Sequence, residues 1–186
     1  KLIGLLLMFK YLVYGFSWST FAPMKIGQDK VVGVHYQLTV DGQQLDASGD
    51  NPLMYLHGHG MMIQGFEKQL EGLNEGEKYA FDVNPEEGYG VYNQEAVVDL
   101  DKSIFMVDGV MSTDVFEGAQ LNMTNAEGHR MLGVVNAIKE ESVTMDFNHQ
   151  LAGKTLHFEG SVATVRDATK EEIEHGHVHG PGGHNH

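Results

Sequence analysis

Histidines are spaced for chemistry at two places in this chain. His57 and His59 flank a single glycine in "YLHGHGMMIQGFEKQLEGL", and the pattern returns near the end as "HGHVHGPGGHNH". Imidazole is a common ligand of divalent transition metals, so both stretches are candidate metal sites. The first offers two nitrogens with no third ligand nearby in sequence. It reads as a loop whose glycines permit tight backbone turns. The second offers His175, His177, His179, His184 and His186 on a glycine-interleaved stretch free to wrap an ion. Its spacing is unlike the consecutive run of a purification tag. The chain has no cysteine, so any metal must be held by nitrogen or oxygen ligands. Imidazole alone does not choose among nickel, copper and zinc.

Those side chains need a scaffold. The 186 residues, 41% hydrophobic and 20% charged, have the length and composition of one globular domain or of one domain carrying an insertion. A net charge of −14 repels polyanions, which sets nucleic acid aside as a partner. The opening "KLIGLLLMFKYLVYGFSWSTFAP", residues 1–23, is signal-like, but Lys10 interrupts an apolar run already too short to span a bilayer. It reads as a stretch upstream of a start at Met24, as a secretory leader, or as genuine structure. The first implies a cytoplasmic protein and the second an exported one. It is left out of the fold.

From Val31 to Val40 the pattern alternates and is rich in β-branched residues, and Asp41-Gly42 is a hairpin signal before "QQLDA". "PLMYL" is another short strand. Ile63, Phe66, Leu70 and Leu73 recur with helical period, predicting a helix from about Ile63 to Leu70, with Gly72 placed to end it. "KYAFDV" alternates again and "NPEEGYG" is a loop. From about Ala96 to Thr144, short strands at "AQLNMTN", "HRMLGVVNAI" and "SVTMDF" form a second small β unit. "TLHFEGSVATV" then reads as the missing partner of the first sheet, which makes the second unit an insertion. From Asp167 onward the tail is charged, then Gly- and His-rich, with no means of packing a core. Taken alone, Leu45, Leu53, Ile63, Phe66 and Phe158 are core residues, Asp46 a turn residue and Tyr89 a loop aromatic.

"VHYQL", "DGQQLDAS", "PLMYLHGHGMMIQGFEKQLEGLNEGEK", "PEEGYG" and "NHQLAGKTLHFEGSVATVRDAT", followed by the histidine-rich end, occur in one order. In that order the chain resembles the FKBP-type peptidyl-prolyl cis-trans isomerases, and among them the SlyD-like members with an extra domain in the flap. The resemblance runs from about Lys25 to the C-terminus. It implies an α+β fold: an antiparallel sheet wrapped on a short helix, an inserted β-rich domain and a disordered histidine-rich tail. The expected division is 24–95 and 145–168 for the isomerase domain, 96–144 for the insert and 169–186 for the tail.

The resemblance also assigns roles. It implies a pocket with no nucleophile or base, needing no cofactor for catalysis. Tyr36, Asp46, Ile63, Tyr89 and Phe158 would be its catalytic residues, and Leu45, Leu53, Met62 and Phe66 would bind substrate. Asp46 and the Tyr89 hydroxyl would orient the substrate, the Ile63 N–H would hold a carbonyl and Phe66 would form the floor. Leu45 departs from the aromatic many members carry there. Partners would be proline-containing or unfolded polypeptides, with a monomer acting on them away from any membrane. In the insert, the methionines read by themselves either fill its own core or form an exposed adaptable face; the resemblance implies the latter, a chaperone surface of Phe105, Met106, Val110, Met111, Phe116, Met123 and Met131. The tail would bind Ni2+, with Zn2+, Cu2+ or Co2+ as alternatives. A different class of function also fits the tail: a nickel metallochaperone, serving metalloenzyme maturation, in which the isomerase fold is a carrier.

Overall fold

The computed structural model describes residues 24–179. The leader-like segment 1–23, His184 and His186 lie outside them. The first sheet is built on β1 (Lys30–Val40), whose inward side chains Val32, Val34, Leu38 and Val40 are buried. Asp41 and Gly42 both take positive φ, 51° and 78°, the backbone of a two-residue hairpin turn. That turn sends the chain back as β2 (Gln43–Ala47). Next, β3 (Leu53–Leu56) pairs with the first half of β1, Val31 opposite Leu56. β4 (Lys78–Val83) waits at the far edge until β11 (Leu156–Asp167) enters antiparallel between it and β1. The central strand of this sheet thus comes from the far end of the chain, as the sequence predicts.

Helix α1 (Gln64–Leu70) packs on this sheet through Phe66 and Leu70, both fully buried. It starts one residue after the expected Ile63, which stays extended at ψ 143° as the N-cap. Beyond the C-cap Glu71, Gly72 turns left-handed at φ 83°, where a side chain would be strained. Gly65 lets the helix approach β4: a Cβ there would fall 2.4 Å from Val83 Cγ1.

The second sheet holds β5 (Val97–Asp101), β8 (Gln120–Thr124), β9 (Arg130–Ile138) and β10 (Ser142–Asp146) in the order β5-β10-β9-β8. A two-residue ladder joins β6 (Met106–Val107) to β7 (Val110–Met111). The sheet has its own core of Phe105, Ala119, Val135, Val143 and Met145. Two expectations change here. The return from this sheet falls after Asp146 and not after Thr144, because Met145 is fully buried in its core and Asp146 pairs with Val97. Phe105 is 6% exposed and belongs to that core, so it is not chaperone surface. Met111 and Met123 are half-buried against the same core.

The tail also departs from expectation. Lys170–His175 forms α2, begun by a capping box in which Thr169 and Glu172 exchange hydrogen bonds and ended at Gly176 with φ 68°. Glu172 is 1% exposed, and its carboxylate takes a two-pronged ion pair from Arg166 of β11 at 2.8 and 2.7 Å. That pair supplies the anchor which the polar composition seemed to deny. No helix among the described residues is long and apolar enough to cross a membrane.

Candidate active site

Phe66, carried on α1, meets four other rings. Phe158 from β11 is 4.9 Å away at 65°, and Tyr55, Tyr79 and Phe81 also stand edge-on to it. Edge-to-face contacts of this kind fix ring orientation as well as burying area. Above this floor opens a cavity of about 400 Å³ lined by Tyr36, Leu38, Asp46, Gly60, Met61, Met62, Ile63, Phe66, Tyr89 and Phe158. Seven of the nine predicted pocket residues therefore meet in one cavity: Tyr36, Asp46, Met62, Ile63, Phe66, Tyr89 and Phe158. Leu53 does not line it and packs on the core beneath. Leu45, 51% exposed, faces a neighbouring groove of about 640 Å³ that continues from the cup toward Leu132 and Val134 of the insert. Leu38, Gly60 and Met61 were missed. Alternation already placed Leu38 on the same face of β1 as Tyr36.

Polar groups at the cup are few. The Tyr36 hydroxyl donates to Asp46 Oδ2 at 2.6 Å, and burial, reinforced by that carboxylate, pushes the phenol up to about 12. Tyr36 is therefore a neutral donor at any physiological pH. No described residue takes the N–H of Ile63. A wider cleft of about 770 Å³ lies elsewhere on the sheet, lined by His35, Gln37, Ser48, Lys78, Glu159 and Ser161 among others. It shares Tyr36 with the cup and is lined also by Tyr79 and Ala80, but Phe66 and Phe158 do not reach it.

The two groups of histidines have different surroundings. His57 is 4% exposed, its Nδ1 3.1 Å from the Tyr55 hydroxyl and its Nε2 2.7 Å from Glu71 Oε2. His59 pairs with Asp29 at 2.7 Å. Both rings have structural partners, and the loop they stiffen brings Gly60 and Met61 to the rim of the cup. At the other end of the chain, ring nitrogens of His175, His177 and His179 lie within 4.8 Å of one another. His177 Nδ1 donates to the His175 carbonyl at 3.1 Å, so Nε2 is the nitrogen it could offer a metal. His175 Nδ1 and His179 Nε2 lie 3.1 Å apart. Three converging imidazoles fit a borderline divalent metal.

The cup is thus floored by aromatic rings on a five-stranded antiparallel sheet, with the Tyr36–Asp46 hydrogen bond among its lining. The sequence model of the FKBP-type peptidyl-prolyl cis-trans isomerases matches residues 22–162, and the chain belongs to that family. It is 40% identical over 159 residues to the FKBP-type peptidyl-prolyl cis-trans isomerase SlyD of Yersinia pestis, an alignment covering 84% of this chain and 79% of that protein. To the SlyD of Escherichia coli strain K12 it is 37% identical, with the same coverage of each. The protein is thus an enzyme that turns the X-Pro bonds of polypeptides between cis and trans.

Proposed function

We propose that catalysis takes place in the Tyr36–Phe158 cup, that the inserted sheet holds unfolded clients beside it, and that the tail binds Ni2+. Rotation about the amide C–N bond costs about 18 to 20 kcal/mol because resonance is lost as the amide twists. No covalent bond need break. A catalyst has only to hold the twisted amide more tightly than either planar isomer, and about 4 kcal/mol of such preference gives a thousandfold. The twisted amide carries less charge separation than the planar one, so an apolar cup favours it. Phe66 and Phe158 receive the proline ring, Asp46 and Tyr89 orient the chain, and the unengaged Ile63 N–H takes a substrate carbonyl. The observation that carries this reading is the meeting of these side chains in one ring-floored cavity. A protease-coupled assay on an X-Pro tetrapeptide tests it. The protein should accelerate isomerisation by orders of magnitude and Phe158→Ala should abolish most of the gain. Uncatalysed rates from folded protein would refute it.

The chaperone reading is supported by Ile104, Met106, Val107, Val110 and Phe116, which are 40 to 69% exposed on the insert. Met131, half-buried on β9, belongs with this surface. Side chains of this kind adapt to varied apolar segments. A metal-handling role is favoured by the histidine triad, and the two readings are compatible in one molecule. Replacing His175, His177 and His179 together by alanine should abolish tight Ni2+ binding in calorimetry and leave tetrapeptide turnover unchanged.

A further inference from the structure

The two segments joining the sheets are laced to each other. The Gly153 N–H donates to the Gly90 carbonyl at 2.8 Å and the Phe147 N–H to the Ala96 carbonyl at 3.0 Å. Asn148 is the peg between them. Its Oδ1 accepts from the Asn93 N–H at 2.8 Å, and its Nδ2 donates to the Asn93 carbonyl at 2.9 Å. Nδ2 also reaches Asp146 Oδ1 at 2.8 Å, while the Tyr92 hydroxyl holds Asp146 Oδ2 at 2.9 Å.

On this laced joint, one residue past the peg, stands His149. Its ring lies face to face on Tyr89, centroids 4.0 Å apart and planes 5° from parallel. Its Nδ1 accepts the Leu151 N–H at 3.1 Å, which holds the ring in one orientation. Tyr89 needs such a partner. It lies on a loop between Gly88 and Gly90, the latter at φ 85°, and is itself 39% exposed. Neither its backbone nor a core around it selects a ring position.

We infer that His149 is a positioning residue of the isomerase reaction: it clamps the Tyr89 ring as a wall of the cup, and through Asn148 it makes the seating of the insert a determinant of that wall. This rests on the reading of Tyr89 as part of the catalytic cup. An aromatic contact of this kind carries roughly a three- to tenfold effect when it acts on the transition state. His149 is exposed, so deleting its ring empties no core.

The test compares kcat and KM on an X-Pro tetrapeptide for the full chain and for H149A, H149F and Y89A. Melting curves verify folding, and the NMR shifts of the Tyr89 ring protons report the stack. H149A should lose about three- to tenfold in kcat/KM, mostly in kcat, and the Tyr89 ring protons should lose their upfield displacement. H149F keeps a flat ring without the nitrogens and should recover to within about twofold. Wild-type turnover by H149A while Y89A is slow overturns the inference alone. So does H149F as slow as H149A, since the ring would then not be what matters. Wild-type turnover by Y89A would bring down the Tyr89 reading and the clamp with it.

Discussion

Tyr36 and Asp46 are coupled closely enough that changing one can be read on the other. Asp46→Ala removes the acceptor and the negative charge that hold the Tyr36 proton, leaving burial and the neighbouring Tyr89, so the phenol, now pushed up to about 12, should titrate lower. An alkaline absorbance titration would follow this. Catalysis should fall by roughly tenfold or more, the size of one hydrogen bond to a charged group. A second contrast separates core from surface in the insert. Phe105→Ala should destabilise it by about 3 to 5 kcal/mol in denaturant unfolding. Phe116→Ser, at a side chain 60% exposed, should change stability by less than about 0.5 kcal/mol and yet weaken the suppression of client aggregation. At this scale residue type alone read Ile63, Phe66 and Phe158 as core, Asp46 as a turn residue and Tyr89 as a loop aromatic. It was the family resemblance that implied nine pocket residues, of which seven meet in the cavity. Phe105 could not be placed, because composition does not say which face of a small sheet its ring meets.

Among the elements, α2 was hidden by composition, while β5, β6 and β7 were too short to stand out from the pattern. Thr169 and Glu172 have the spacing of a capping box, legible in principle, but the charged and histidine-rich surroundings pointed to a solvated tail. Burial of Glu172 against Arg166 depends on a partner strand, which no local pattern reveals. Hydrogen bonds from Arg166, and then from the Thr169 and His179 N–H groups, hold the Glu172 carboxyl far below its ordinary value near 4.5. A carboxyl depressed on folding contributes in full above its unfolded value and loses that contribution as pH falls. Glu172→Gln should therefore cost stability at pH 7, about 1 to 3 kcal/mol for a pair with one partly exposed member. Wild type and variant should converge as the solution is acidified, which urea unfolding at several pH values would register. The joint at Asn148 was equally hidden, since its partner Asn93 lies 55 residues away. Gly160 is a third such case: a Cβ there would fall 1.9 Å from the His35 carbonyl oxygen, so Gly160→Ala should destabilise the first sheet by several kcal/mol.

For the molecule as a whole, an apolar surface tethered beside a pocket raises the local concentration of a client's prolines there. Replacing Val97–Asp146 by a short linker, with Phe147 to Gly153 retained, should leave tetrapeptide turnover within the range set by the His149 clamp. Catalysed refolding of a proline-limited protein should fall by roughly tenfold or more. Equal losses on both substrates would mean that the insert acts by shaping the cup and not by tethering. The antiparallel register that sets Val97 opposite Asp146 also governs how the chain finds its fold. β11 must pair with β4 across an intervening stretch of roughly seventy residues, and loop-closure entropy makes that slow. Once the insert has folded, its two ends emerge side by side and the stretch still to be closed shrinks to roughly twenty residues, a saving of about 1 kcal/mol. An insert that folds first should thus act as a folding splint for the isomerase sheet. Exchanging it for an unstructured Gly/Ser segment of the same length should slow formation of the β4–β11 ladder by about fivefold in stopped-flow refolding.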